Sequence, residues 1–183
     1  GVDDCLVTSD INFNGQNNLS LFTSIIFNNL SSTSQAIAEL STASWQTQGT
    51  FLLIRGYDGT NSYALRRNFS TNGKFEDLVS QNNTNTKAVL TGIINSTTSE
   101  EYMRNFGTLI GSKTLTVSSE TFKNYPLYIG VGEVPNYPLN GNLYSLIGVA
   151  RIASTTEITN IEKIIAKNIG VDVWATIFQS SIS

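Results

Sequence analysis

The amino-acid sequence predicts an all-β protein, an antiparallel two-sheet sandwich with one short C-terminal helix. Three observations predict it. Apolar runs of five to nine residues recur along the chain, separated by turn residues at the spacing of a sandwich. The last third reads strand, loop, strand, helix, from Tyr125-Pro126-Leu127-Tyr128-Ile129-Gly130 through Asn142 to Ile152 and on to Thr155–Ile169. Hydrophobic residues make up 40% of the 183 residues and charged residues only 14%, so the polar surface is built from Asn, Ser, Thr and Gln.

Leu19 to Phe27 is apolar at odd positions (Leu19, Leu21, Ile25, Phe27) and again at Phe22 and Ile26, the pattern of a central strand covered on both faces. Asn28 to Ser34 is turn chemistry. Ala36–Leu40 and Thr50–Arg55 are strands, and Gly56-Tyr57-Asp58-Gly59-Thr60-Asn61 is a turn between strands. Ser62 to Phe69 alternates, with Tyr63, Leu65 and Phe69 on one face and Ala64, Arg66 and Asn68 on the other. Asn72-Gly73 is a hairpin signal, because both residues tolerate the positive φ of a primed turn, and Lys74 to Ser80 is its return strand. Gln81 to Thr86 is a polar loop, Lys87 to Ile94 a strand, and Glu101 to Arg104 a short strand running into the turn Asn105-Phe106-Gly107.

The helix carries its own end signals. Ser154 with Glu157 forms a capping box, Ile158, Ile161 and Ile165 share a face with Ile164 beside them, and Gly170 follows as the C′ residue. A lone helix in a β protein is expected across an open end or edge of the sandwich. Residues 171–183 form a tail in which Trp174, Ile177 and Phe178 are expected to make an oligomer contact. No linker divides the chain, so residues 1–183 are expected to form one domain with a core at about 10–170. The chain opens Gly1-Val2-Asp3 without an initiator Met and is expected to be part of a longer polypeptide.

The order of elements resembles the concanavalin A-like lectin and glucanase jelly rolls, in particular the laminin-G-like branch. Leu19–Phe27 is similar to that family's early apolar strand, and Phe51–Arg55 through Tyr63-Ala64-Leu65 to its next hairpin. Glu101-Tyr102-Met103-Arg104-Asn105-Phe106-Gly107 is similar to its Tyr-x-Asn-Gly turn, stretched by inserted residues. Pro126–Gly130, Asn140-Gly141 and Tyr144–Ile152 are similar to its closing motif. The resemblance implies a jelly roll that recognises a carbohydrate or receptor. Such domains recur in phage tail fibres and other virion appendages. It therefore implies a virion or extracellular location, a host-surface glycan or receptor as partner, and a homo-oligomer, a trimer among the forms expected.

The residues themselves speak against most catalysis. There is no histidine, which removes Ser-His-Asp triads and His-bearing metal sites, and the single Cys5 cannot form a disulfide within the chain or a thiolate cluster. Glycoside hydrolysis needs two carboxylates about 5–10 Å apart. The related enzymes carry Glu-x-Asp-x-x-Glu on one strand, a spacing this chain lacks; Glu76-Asp77 and Glu100-Glu101 are adjacent and point to opposite faces of a strand. Hydrolysis is thus the weaker alternative, behind a structural role in virion assembly. The net charge of −3, with only Arg66-Arg67 as a basic pair, gives no phosphate-binding stripe, so no nucleic acid is expected as partner. No apolar run has the length of a membrane span, so no membrane insertion is expected either.

No cofactor is expected. Calcium has one candidate turn, Asp58-Gly59-Thr60-Asn61, for which an Asp-Gly turn held by its own side chain is the preferred reading. Sugar binding combines an aromatic face for the apolar side of the ring with amide or carboxylate groups for the hydroxyls. That combination occurs at Tyr57, Asp58 and Asn61, at Tyr102 and Arg104, and at Asn136 and Tyr137, with Trp45 in a polar Ser/Gln/Thr stretch. These are the candidate ligand-binding residues.

Overall fold

A computed structural model describes residues 5–13, 15–30, 33–42, 47–69, 76–81, 83–116, 118, 120–132 and 137–172. Its strands are β1 (Leu6–Ile11), β2 (Asn18–Phe27), β3 (Gln35–Leu40), β4 (Thr50–Arg55), β5 (Tyr63–Asn68) and β6 (Glu76–Val79). They continue with β7 (Lys87–Asn95), β8 (Glu100–Asn105), β9 (Thr108–Thr114), β10 (Tyr125–Ile129) and β11 (Gly141–Val149), and the helix α1 spans Thr155–Lys167. The strands form two antiparallel sheets, β1-β10-β3-β4-β5-β6 and β11-β2-β7-β8-β9, stacked as a jelly-roll sandwich.

The alternation read in the sequence sets the core. Leu19, Leu21, Ile25 and Phe27 of β2 point between the sheets, where they meet Phe51 and Leu53 of β4, Tyr63 and Leu65 of β5, and Met103 of β8. Phe51, Phe13 and Phe69 surround Phe122 with ring centroids 4.8–6.0 Å from it, all edge-on. Gly92 faces inward on β7; a Cβ there would lie 2.9 Å from Leu65 Cδ2, so the missing side chain lets the opposite sheet approach. The outer face of the five-stranded sheet is also apolar, as expected for a doubly covered strand: Phe22, Val89 and Ile93 pack under Ile158, Ile165 and Ala166 of α1.

Several expectations are corrected. The helix lies flat on that outer face, over β2 and β7, and not across an end or edge of the sandwich. Its buried residues are Ile158, Glu162, Ile165 and Ala166, while Ile164 is exposed. The capping box is present: the Ser154 side chain accepts the Glu157 N–H, and Glu157 reaches back to the Ser154 N–H at 2.8 Å. Gly170 adopts φ +66° as a C′ residue should. Two strands escaped the sequence reading, β1 and β9. Both are edge strands whose side chains are mostly exposed, so no hydrophobic alternation announces them. The Asn72-Gly73 turn lies outside the described residues, but β5 and β6 on either side of it pair antiparallel, with Arg67 opposite Glu76.

Candidate functional site

The predicted ligand-binding residues fall on two opposite faces. Tyr102 and Arg104 sit on the outer face of β8, where the apolar stripe beneath the helix gives way to β9. Glu162 of α1, 3% exposed, reaches down to this strand. Its carboxylate accepts from Thr91 Oγ1 at 2.7 Å, from Arg104 Nε at 3.0 Å and from Arg104 Nη2 at 3.1 Å. The two-pronged contact fixes the guanidinium in a plane and ties the helix to β7 and β8.

Beyond that clamp the β8–β9 hairpin is uncovered. Its register puts Tyr102 opposite Ser112, Glu100 opposite Thr114 and Arg104 opposite Leu109. These pairs line an open groove of about 450 Å³. The volume falls in the range of small-ligand sites. Tyr102 is half-buried; burial raises the pKa of its hydroxyl against the pull of Arg104, so it stays a neutral hydrogen-bonding group. Lys113, also at the groove, is exposed and donates to the Asp77 carbonyl at 3.2 Å. The hairpin turns at Phe106 and Gly107, with φ +48° and +77°, a pair of positive values that makes a tight primed turn.

Tyr57 and Tyr137 come together on the other face of the molecule, packed on Ala36, Leu52, Ile54 and Ala64 of the six-stranded sheet. Here the polar groups are committed to one another. Arg66 grips Asp77 with Nε on Oδ1 and with Nη2 on Oδ2 at 2.8 Å. The Tyr57 hydroxyl donates to Asp77 Oδ2 at 2.7 Å and accepts from Arg66 Nη2 at 2.9 Å. This cluster locks the 3₁₀ turn Tyr57–Gly59 onto the sheet and leaves few groups to offer a ligand. Asn61 lies at the sandwich end, its Oδ1 facing the Arg55 guanidinium at 3.5 Å. A cation that close disfavours the calcium reading of this turn. Among the described residues no three His, Cys, Asp or Glu gather as metal ligands. The Asp58 side chain, Trp45, Asn136, and Trp174, Ile177 and Phe178 lie outside the described residues.

Adjacent acidic pairs split as strand geometry dictates. Glu76 turns inward to Arg67, with Nε–Oε2 at 3.0 Å, while Asp77 turns outward to Arg66. Ser112, Thr114, Leu109 and Glu162 were not among the residues read from the sequence. The first three belong to β9; the turn at Asn105-Phe106-Gly107, which implies a return strand, was the signal that could have found them.

Neither protein-family models nor curated protein sequences yield a match to this chain. Solved structures do. The CBM40 of a Ruminococcus gnavus IT-sialidase is similar over 88% of this chain and 99% of its own, at TM-score 0.63 and 10% identity. It has also been seen bound to alpha2,3 sialyllactose. A heptameric SAP-like pentraxin from Limulus polyphemus is similar over 90% of this chain and 83% of its own, at TM-score 0.60 and 12% identity. The binding domain of botulinum neurotoxin DC, in complex with rat synaptotagmin II, is similar over 88% of this chain and 40% of its own, at TM-score 0.67 and 12% identity. At these identities the likeness is one of fold, the jelly-roll sandwich.

Proposed function

We propose that this domain is a non-catalytic carbohydrate- or receptor-binding module and that the β8–β9 groove takes the ligand. One observation carries the reading: the groove sets the ring of Tyr102 beside an Arg104 guanidinium already oriented by Glu162, with the Ser112 and Thr114 positions across the hairpin. A pyranose presents an apolar face and a rim of hydroxyls, and this arrangement answers both. Arg104 is charge-paired with Glu162, and Glu100 lines the groove together with Lys113, so the charges are balanced and the site offers hydrogen bonds to a glycan. The solved neighbours that hold sialyllactose or synaptotagmin II support the reading of a binding module.

The setting we propose is an appendage of a virion, such as a phage tail fibre, that attaches to a host surface. The neutral Asn/Ser/Thr-rich sequence and the absence of a disulfide within the chain support it. One shallow site binds weakly, and several copies on a fibre would raise the avidity.

Titration of the purified domain with sialyllactose and with lactose tests the reading. We expect both sugars to bind, and Tyr102→Ala to weaken each by about tenfold, the equivalent of ~1.4 kcal/mol, with the melting temperature little changed. Equal behaviour of the variant and the natural protein, or no binding across a glycan panel, counts against the groove. An assembly module is the competing reading. It is favoured by Leu6 and Val7 on β1 and Tyr144 and Ile147 on β11, large apolar groups exposed on edge strands of the two sheets. Sedimentation as a stable oligomer with no glycan bound would favour that reading.

A further inference from the structure

At the end of the sandwich near Asn61, three inward side chains form one row across adjacent strands: Gln35 of β3 opposite Arg55 of β4, and Arg55 opposite Tyr63 of β5. Directly opposed residues in a sheet stand about 5 Å apart, so the three head groups share one small space. All are buried, Gln35 2%, Arg55 0% and Tyr63 0% exposed. Arg55 carries its charge into this space with no carboxylate partner among the described residues. Arginine keeps its proton at any ordinary pH, so it cannot escape burial by becoming neutral.

The charge is only partly answered. Phe27 offers its ring face 4.7 Å from the guanidinium carbon, a cation–π contact. Arg55 Nη2 donates to the Asn83 carbonyl at 3.2 Å and reaches Asn61 Oδ1 at 3.5 Å. Four buried polar atoms in the row have no hydrogen-bond partner: Arg55 Nε, Arg55 Nη1, Gln35 Nε2 and the Tyr63 hydroxyl. The Gln35 amide is oriented, because its Oε1 accepts the Asn140 N–H at 2.9 Å, which leaves the NH₂ as the unsatisfied end. Tyr63 is held as a neutral O–H: burial pushes its pKa up to about 12, with Arg55 pulling the other way. The Arg55 guanidinium carbon lies 6.0 Å from the Tyr63 ring centroid, so the two groups share this space. Arg55 Nε, Arg55 Nη1 and Gln35 Nε2 are donors only, whereas the Tyr63 hydroxyl can both donate and accept.

We infer that the Gln35–Arg55–Tyr63 row is a buried anion site between the sheets that takes a single halide such as chloride. A water placed there would accept from these donors and could give a hydrogen to the Tyr63 oxygen, but it would leave the buried guanidinium without a counter-charge. A halide accepts from all four donors and neutralises the guanidinium. The site is separate from the β8–β9 groove and stands whether or not that groove binds a glycan.

The test replaces chloride with gluconate at fixed ionic strength and follows thermal unfolding of the full chain. We expect the melting temperature to rise by about 3 °C between roughly 1 and 300 mM chloride, as for any ligand that binds only the folded state. The rise should vanish in Arg55→Met. Should that variant fail to fold, Tyr63→Phe removes one donor and is expected to shrink the rise by about half. A crystal soaked in bromide should show an anomalous peak within hydrogen-bond reach of Arg55 Nε and Nη1. Melting that ignores chloride, a chloride effect retained in full by both variants, or density at the row that bromide does not label would each overturn the inference. A bromide peak without any chloride dependence of melting marks an adventitious ion only, and overturns it too.

Discussion

The core between the sheets buries a guanidinium at one end and a carboxyl at the other, and the two are resolved by different chemistry. At the Arg55 end there is a surplus of donors. At the opposite end Glu101 of β8, 0% exposed, points inward with neither carboxyl oxygen hydrogen-bonded. The cation that acts on it most strongly is Arg67, and Arg67 is already engaged by Glu76, by Ser96 Oγ at 3.0 Å and by the Thr116 carbonyl at 2.8 Å. A carboxyl can gain a proton where a guanidinium cannot lose one. Burial therefore raises the Glu101 pKa well above its usual value, outweighing the pull of Arg67 and Lys113. The lesson is that a buried charge of fixed protonation state needs an outside counter-ion, whereas a titratable one neutralises itself.

The most forceful way to break this comparison is Arg67→Ala. It removes the only guanidinium facing both Glu76 and Glu101 among the described residues, and we expect a loss of about 3 kcal/mol in denaturant unfolding at pH 7. Glu76 is the sharper loser. Its pKa lies below the usual value because hydrogen bonds from Thr116 and Arg67 outweigh the opposing effect of burial. A weaker blow lands midway between the two ends. Gly92→Ala would push a methyl into Leu65, and we expect a cost of about 1–3 kcal/mol, the same at every pH. A strong pH dependence of that cost would mean that the two ends are coupled through the middle of the core.

The gentlest change sharpens the comparison. Glu101 has its folded pKa raised, so its contribution is full below the unfolded carboxyl pKa of about 4.3 and is lost as pH rises towards the folded value. Glu101→Gln cannot ionise. Relative to this variant, the natural protein should lose up to about 1.4 kcal/mol per pH unit above that window's lower edge, and the two should unfold with the same pH dependence below it. Parallel stability curves from pH 5 to 8 would show that Glu101 is ionised in the folded protein, and the contrast with Arg55 would fail.

Much of the architecture was legible before any coordinates. The β2 alternation, the Tyr63/Leu65 face of β5 and the Ser154–Glu157 box all read correctly, because each is a local pattern of period, turn residue or cap. The helix position did not follow from its sequence. Its apolar face could have covered several surfaces, and Arg104 and Thr91, contributed by two separate strands, select the one it takes through Glu162. β9 was missed for a different reason: it is an edge strand whose residues are mostly exposed, with only Ile110 packed on the core, so burial leaves little alternation to read. The candidate site divided in the same way. Tyr102 and Arg104 were read from composition and fall together at the groove, while Tyr57, read on the same grounds, is held by Arg66 and Asp77.

By itself the sequence determined most of the elements: the strands with an apolar face, where the helix starts and stops, and that no histidine chemistry exists. Only the tertiary structure decided which charges meet. Strand periodicity and caps act over a few residues, but the partners of Arg55, Glu101 and Arg104 are set by sheet pairing and sheet stacking between segments tens of residues apart. Those contacts are encoded in the packing of the whole chain, and no local stretch contains them.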